Sequence, residues 1–450
     1  MSRGFESHTL RVMRYGGPDR RQPERTRVSQ TSKPSRRRAT VARHGRLTSP
    51  HPVAQFFKLV AVGLAVVLVA IVGVAGYTVW NLAQTVTDKA VALEGQEAVP
   101  PDIGQIEGGV NLFLAGTDAC EDAYKDYFPG RCSGPDAGGE LNDVNMLVHI
   151  SDEPRRVTVI SFPRDLMVPI PSCTREDGST TSAMSKQPLN SAYSVGGLSC
   201  VVKTVSQLSG LNIPYAAKIT WGGVIEITNA IGGVDVCVAN RIYDPKNTGL
   251  DLGPGMHTLQ GVEALEFLRT RHGVGDGSDL ARISNQQQYM SRLARKLVSE
   301  NVLSDPTTLF RLATTAVDNI TPSQSLTNPL TLAQIALAVK NVPFDEIVFI
   351  QYPTNGDPDD QNKVVPNKQA AVALWDALAA NQPLELTGKA AVNEGVVVVD
   401  PTEAPVAPSD TPTPGATETA APSQEPAIQL PSSIAGSTAA QETCSNGNAR

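Results

Sequence analysis

The stretch NMLVHISDEPRRVTVISF, Asn145–Phe162, decides the class of fold. Its two halves, NMLVHI and VTVISF, are short apolar runs rich in β-branched residues. Such runs read as buried strands, and the polar turn around Asp152–Arg155 joins them. Working outward, Val110–Ala115 (VNLFLA) reads as another buried strand, and Val234–Val238 and Ile347–Gln351 close the strand list. Between and after them, apolar residues recur with helical period at Cys200–Leu208, Gly222–Ile231, Ser284–Ser299, Leu330–Val339 and Lys368–Ala380. This alternation over residues 106–390 predicts an α/β domain, a three-layer α/β/α sandwich with a central mixed sheet.

Residues just past strand ends in such a sheet line the ligand crevice. Thr117 and Asp118 follow the first strand, Asp143 stands just ahead of the next, and Pro163-Arg164-Asp165 follows Phe162. Taken singly, an Asp in such a place is most often a turn or cap residue. Together, two carboxylates and an Arg suit a divalent cation beside a phosphate, and Mg²⁺ takes one or two carboxylates plus substrate oxygens. A second constellation lies in GVEALEFLRTRHGVGDGSDLARISNQQQ, Gly261–Gln288. Arg269 and Arg271 precede a Gly-rich acidic loop, Gly273–Asp279, and Arg282 and Gln286 follow it four residues apart, on one face if that segment is helical. An isolated Arg-x-Arg is usually a solvated, salt-bridged surface. Three guanidinium forks folded towards one point suit phosphate. There is no G-x-G-x-x-G, Walker loop or G-x-S-x-G, which argues against dinucleotide, NTPase and esterase chemistry.

The chain has 450 residues and a net charge of −7, unevenly spread. Residues 1–55 hold twelve Arg and one Lys against three acidic residues, a balance of +10. This arm has no apolar period and reads as disordered. It precedes Leu59–Trp80, an uncharged apolar run of bilayer-spanning length within residues 56–80, flanked by Lys58, Tyr77 and Trp80. The expected topology is a single-pass anchor in the cell membrane. The arm is cytoplasmic, not a nucleic-acid arm, residues 81–105 are a linker or stalk, and the domain is extracellular. All six cysteines follow the apolar run, as an oxidising exterior allows. Cys120 and Cys132 bracket one loop and Cys173 and Cys200 another, so these are the preferred pairs. Cys237 reads as a buried thiol, and Cys444 sits in a Pro/Thr/Ser/Ala-rich tail, 391–450, expected to be disordered.

The ordered string Gly-Thr-Asp, Asn-Asp-Val-x-Met, Pro-Arg-Asp, Leu-Asn-x-Ala-Tyr-x-x-Gly-Gly, Tyr-Asp-Pro, Arg-x-Arg and Arg-x-x-x-Gln-Gln resembles the LytR–CpsA–Psr family from about Asn111 to Leu297. Weaker similarity continues over Val364–Leu378. The resemblance implies a long apolar pocket for a polyprenyl chain. It also implies Mg²⁺-dependent transfer of a glycopolymer from a polyprenyl-diphosphate carrier to peptidoglycan. It implies that Asp118 and Asp143 are metal-site carboxylates, and that Arg164, Arg269, Arg271, Arg282 and Gln286 bind the diphosphate. Asp165 or Asp279 is the candidate base. Two other readings stand beside it, a hydrolase that uses water as acceptor and a non-catalytic wall-associated scaffold. Leu141, Pro188 and Asn285 depart from the family pattern, each standing where the family has a basic side chain and so losing a possible anion contact. Candidate pocket residues are Leu208, Leu211, Val224, Ile225, Ile227 and Phe267, with Tyr193 and Trp221 at the mouth.

Overall fold

The two runs around the Asp152–Arg155 turn pair as an antiparallel hairpin in the computed structural model, β2 (Asn142–Ile150) against β3 (Val157–Phe162), in register from Asn145↔Phe162 to Ile150↔Val157. The structure describes residues 87–97, 109–134, 138–299, 306–391, 393–399 and 427–448, with Tyr77 and Gln84. The membrane-span expectation at Leu59–Trp80 and the basic arm at 1–55 therefore lie outside the described residues, Tyr77 apart. No described helix is long and apolar enough to cross a membrane.

Strand β1 (Val110–Thr117) pairs antiparallel with β2 and parallel with β4 (Tyr215–Thr220). The central sheet has seven strands. With β5 (Val234–Asn240) and β6 (Gly255–Leu259) set aside, its order is β7 (Ile320–Pro322), β4, β1, β2, β3, β8 (Ile347–Gln351) and, after β9 (Val396–Val398), β10 (Gly436–Thr438). The sheet mixes parallel pairs (β1 with β4, β3 with β8) with antiparallel ones, so the mixed α/β class expected from the sequence is what forms. The period of two puts Phe113, Leu147, Ile160, Phe162 and Ile350 on one face. There they pack with Val201 and Val205 of α1 (Ser191–Ser209) and, further along the chain, with Leu374. The opposite face carries Met146, Val157, Val159 and Phe349 against Met290 and Val339. Each fully buried large side chain in these layers contributes about 1.5–3 kcal/mol.

The further helices run in chain order α2 (Trp221–Ala230), α3 (Gly261–Arg269), α4 (Asp279–Ser299), α5 (Pro306–Asn319) and α6 (Pro329–Lys340), and α7 (Lys368–Ala379) comes last and packs on the first face beside α1. Helix α2 starts where its sequence says it should, because Thr220 Oγ1 accepts from Gly223 N at 3.2 Å as an N-cap. Helices α3 and α5 go beyond the sequence expectation. Val262–Leu268 is only two turns long, and periodicity is weak evidence at that length.

Two expectations are corrected. Residues 87–97 do not stand off as a stalk: Val91 bridges to Ser323, Val91 and Leu93 pack on the core, and Lys203 holds Glu94. The segment read as disordered tail is built into the domain over 427–448. It supplies edge strand β10 and strand β11 (Thr443–Asn446), which lies between β5 and β9 in a four-stranded sheet ordered β6, β5, β11, β9. Composition misled here because the strands borrow their hydrogen-bond partners and apolar cover from the domain. Cys237 is accordingly no free thiol but is bonded to Cys444 across 207 residues, beside the expected Cys120–Cys132 and Cys173–Cys200. Closing so long a loop contributes about 5 kcal/mol in the chain-entropy picture.

Candidate functional site

The register of the central sheet gathers the predicted residues at one end. Thr117 of β1 lies opposite Asn142 of β2 and beside Thr220 of β4, and Asn145 faces Phe162 at the end of β3. Asp118, Asp143, Arg164 and Trp221 therefore emerge on the same edge, and α3 and α4 deliver Arg269 and Arg282 to it.

Asp118 is buried and held twice: Leu141 N donates to Oδ1 at 2.7 Å and Arg131 Nε to Oδ2 at 2.8 Å. Arg131 stands on the loop closed by Cys120–Cys132. Asp143 Oδ1 accepts from Arg164 Nη1 at 2.7 Å. Arg164 Nε lies 3.6 Å from Asp279 Oδ1 and 3.7 Å from Asp165 Oδ2. Burial by itself would lower the pKa of Arg164, but Asp143, Asp279 and Asp165 outweigh it and hold the guanidinium above its ordinary range. Arg282 Nη2 donates to the Asp143 carbonyl at 2.9 Å and lies 2.6 Å from Asp279 Oδ1. That last pair is close but not aligned as a hydrogen bond. Both Asp279 oxygens, Arg164 Nε and Arg282 Nε are buried without a hydrogen-bond partner among the described residues. Buried polar atoms left open in this way are costly unless something fills them, and a ligand site is one reason to keep them. Asp165, by contrast, is also clasped by Lys363.

Arg269 is treated differently. Its guanidinium carbon sits 3.7 Å over the Trp221 ring and 5.0 Å over Phe128, and these two rings meet edge to face at 4.6 Å. Burial lowers its pKa to about 10 against the pull of Asp143 and Asp118. A cation on an aromatic platform, with no carboxylate in contact among the described residues, is poised for an anion. Arg271 Nε donates to the Gly277 carbonyl at 3.0 Å, inside the Gly-rich loop. Gln286 is committed through Nε2 to the Leu268 carbonyl at 2.8 Å, while its side chain still lines the site.

Beneath this charged rim lies a cavity of about 360 Å³. Leu114, Met146, Ile219, Leu265, Leu268 and Met290 give it apolar walls, interrupted by Asp244, Asn247 and Thr248, and Asp143, Arg164, Arg269, Arg271, Arg282 and His272 also line it. Of the pocket residues expected from the sequence, Val224 and Trp221 line it. Leu208, Leu211 and Tyr193 pack against the opposite face of the sheet, Ile225 joins the Phe128 cluster, and Phe267 is fully buried in a third core; Ile227 is not among the lining residues. Leu114 and Met146 were missed because a strand residue facing a cavity looks like one facing a core. Arg131, Phe128 and Lys363 carry no local sequence signal, since each acts through a partner distant in the chain.

The three departures resolve individually. Asn285 is buried and donates to the Phe267 carbonyl at 2.7 Å, tying α4 to α3. Leu141 supports Asp118 through its backbone. Pro188 lies in the strand Met184–Pro188, and Lys186 is engaged by Asp357 at 2.9 Å and by Asp359. Among the described residues no group of three His, Cys, Asp or Glu could hold a metal unaided. Asp118 and Asp143, on adjoining strand ends, suit Mg²⁺ only with phosphate oxygens or water completing the shell.

The profile of the LytR_cpsA_psr family matches residues 76–380. The probable cell wall biosynthesis protein LcpB of Corynebacterium glutamicum is 29% identical over 273 residues, which are 60% of this chain and 61% of LcpB, so the match leaves over a third of that relative uncovered. The polyisoprenyl-teichoic acid–peptidoglycan teichoic acid transferase TagT of Bacillus subtilis is 24% identical, over 67% of this chain and 88% of TagT. Among solved structures, the LytR-Csp2A-Psr enzyme from Actinomyces oris aligns with a TM-score of 0.48 and 24% identity, covering 64% of this chain and 95% of that one.

Proposed function

This chain belongs to the LytR–CpsA–Psr family, and from that premise we propose that it is a membrane-anchored, extracellular phosphotransferase. It takes a glycopolymer from a polyprenyl-diphosphate carrier and attaches it to peptidoglycan. The observation that carries this reading is the pairing of a largely apolar cavity of about 360 Å³ with a rim of four arginines, one of them stacked on Trp221. An amphiphile with a phosphate head and a hydrocarbon tail is the class of ligand that satisfies both halves. The similarity to TagT, a polyisoprenyl-teichoic acid–peptidoglycan teichoic acid transferase, supports the same reaction class.

In this reading an acceptor hydroxyl oxygen on peptidoglycan attacks the glycan-bearing phosphorus. The bridging P–O bond of the diphosphate breaks, and polyprenyl phosphate leaves with the electron pair. Arg164, Arg269, Arg271 and Arg282 hold the diphosphate and oppose the charge that grows on the leaving oxygen, an effect realised most fully in the transition state. Asp118 and Asp143 would hold Mg²⁺ with the diphosphate oxygens, and the ion would supply further charge neutralisation. The hydroxyl proton passes to a rim carboxylate. Asp165 and Asp279, both beside Arg164, are the candidates: Asp165 is clasped by Lys363, and Asp279 lies 2.6 Å from Arg282. The test is transfer from a synthetic polyprenyl-diphosphate glycan to a peptidoglycan fragment, with and without Mg²⁺. Product that links glycan to peptidoglycan supports the reading. Release of free glycan phosphate in place of that product would favour a hydrolase, and lipid binding without any turnover would favour a scaffold.

A further inference from the structure

The Gly-rich loop that follows Arg271 is not held by the family-matched part of the chain alone. Gly275 N donates to the Asn446 carbonyl at 3.0 Å, Asp276 N to the Asn393 carbonyl at 3.1 Å, and Asn448 N to the Gly273 carbonyl at 2.8 Å. Val274 bridges to Gly447, and Asn393 Nδ2 donates to Ser278 Oγ at 2.8 Å. The same segment continues along α4: Gln288 Nε2 donates to the Thr443 carbonyl, and Glu442 pairs with Arg292 and Arg295. Close approach requires glycine here. A Cβ on Gly447 would lie 1.8 Å from the Arg241 carbonyl oxygen, and one on Gly395 would lie 2.4 Å from that of Ala281. All of these partners, residues 393–399 and 427–448, come after the end of the family match at residue 380.

We infer that this C-terminal segment is a positioning brace for the phosphate-binding loop. It adds backbone hydrogen bonds to Gly273–Asp276 and so sets Arg271, Asp279 and Arg282 against the rim arginines of the sheet. The role of the loop as an anion site rests on the proposed function; the bracing does not. A loop of this glycine content has many conformations to lose, and fixing them before the ligand arrives removes that cost from binding. The Cys237–Cys444 bond keeps the brace on β5, beside the loop.

The experiment compares the full chain with Gly447→Ala, which pushes the brace off Arg241 without altering the loop, and with Gly109→Ala. The latter places a Cβ 2.2 Å from the Ile150 carbonyl oxygen, at the far end of β1. Three quantities are read: melting temperature, amide exchange at Val274–Asp276, and affinity for inorganic pyrophosphate. Gly447→Ala should speed exchange in the loop and weaken pyrophosphate binding at least about tenfold, as small misplacements of a binding group do. Gly109→Ala should lower melting while leaving exchange in the loop and affinity as in the wild type. The inference is overturned if the two variants shift loop exchange alike, or if Gly447→Ala leaves it unchanged. A wild-type protein that takes up no pyrophosphate would count against the proposed function, and the brace would then stand or fall on the exchange result alone.

Discussion

Arg269 offers a test in which stability and activity should move in opposite directions. Its guanidinium is stacked on Trp221 at 3.7 Å, and burial brings its pKa down to about 10. At ~1.4 kcal/mol per pKa unit, keeping it charged in the folded chain costs on the order of 3 kcal/mol. Arg269→Met keeps the length and an aromatic contact but removes the charge. It forfeits ~1–2 kcal/mol of cation–π attraction and regains part of that from sulfur on the rings. The expected net effect is a gain of roughly 1–2 kcal/mol, a rise in melting temperature of roughly 2–5 °C. Transfer should fall at least tenfold to about a hundredfold, because the lost charge opposes one that develops in the transition state. The sign can be checked again by pH. The native pKa is the lower one, so above about pH 10 the folded chain releases this proton while the unfolded chain keeps it, and the stability contributed by Arg269 rises with pH. The difference between variant and wild type should therefore shrink there. Calorimetry of both proteins at pH 7 and at about pH 11, with a single-turnover transfer assay, decides the matter. A variant that melts below the wild type refutes the desolvation argument. One that melts higher and transfers at the wild-type rate removes Arg269 from the site.

Three further outcomes are expected. Arg164→Ala should lower both turnover, by about tenfold to a hundredfold, and stability, since it leaves Asp143, Asp165 and Asp279 without their shared cation; unchanged melting would contradict the ion-pair geometry. Replacing Cys120 and Cys132 together by Ser should cost about 3 kcal/mol and loosen Arg131 and Phe128, so peptide mapping that finds both thiols free in the mature protein would remove that support from Asp118 and Arg269. Removing divalent cations by chelation should stop transfer and adding Mg²⁺ should restore it, while transfer that persists in chelator would withdraw Asp118 and Asp143 from the metal role.

Much was decided by the sequence alone. Strand and helix periodicities are local, and so is the placement of Asp118, Asp143 and Arg164 at strand ends, so both are legible in the sequence. Apolar runs of strand length bounded by turn residues have few alternatives, and short loops bracketed by Cys120–Cys132 and Cys173–Cys200 bring their own sulfurs together. What only the tertiary structure decided depends on contacts between residues far apart in the chain. The partner of Cys237 is 207 residues away, Lys363 reaches back to Asp165, and Arg269 is stacked on rings from two other segments. The C-terminal residues show the limit most clearly. Their composition resembles that of a chain that cannot fold, and over 427–448 it does not need to fold by itself. Its strands are completed by the edges of sheets already formed, and the free energy that orders them belongs to the interface rather than to the segment. The cavity is decided in the same way, for Leu114 and Met146 have the pattern of core residues, and whether the space above them is filled or empty is a property of how α2, α3 and α4 pack over the sheet.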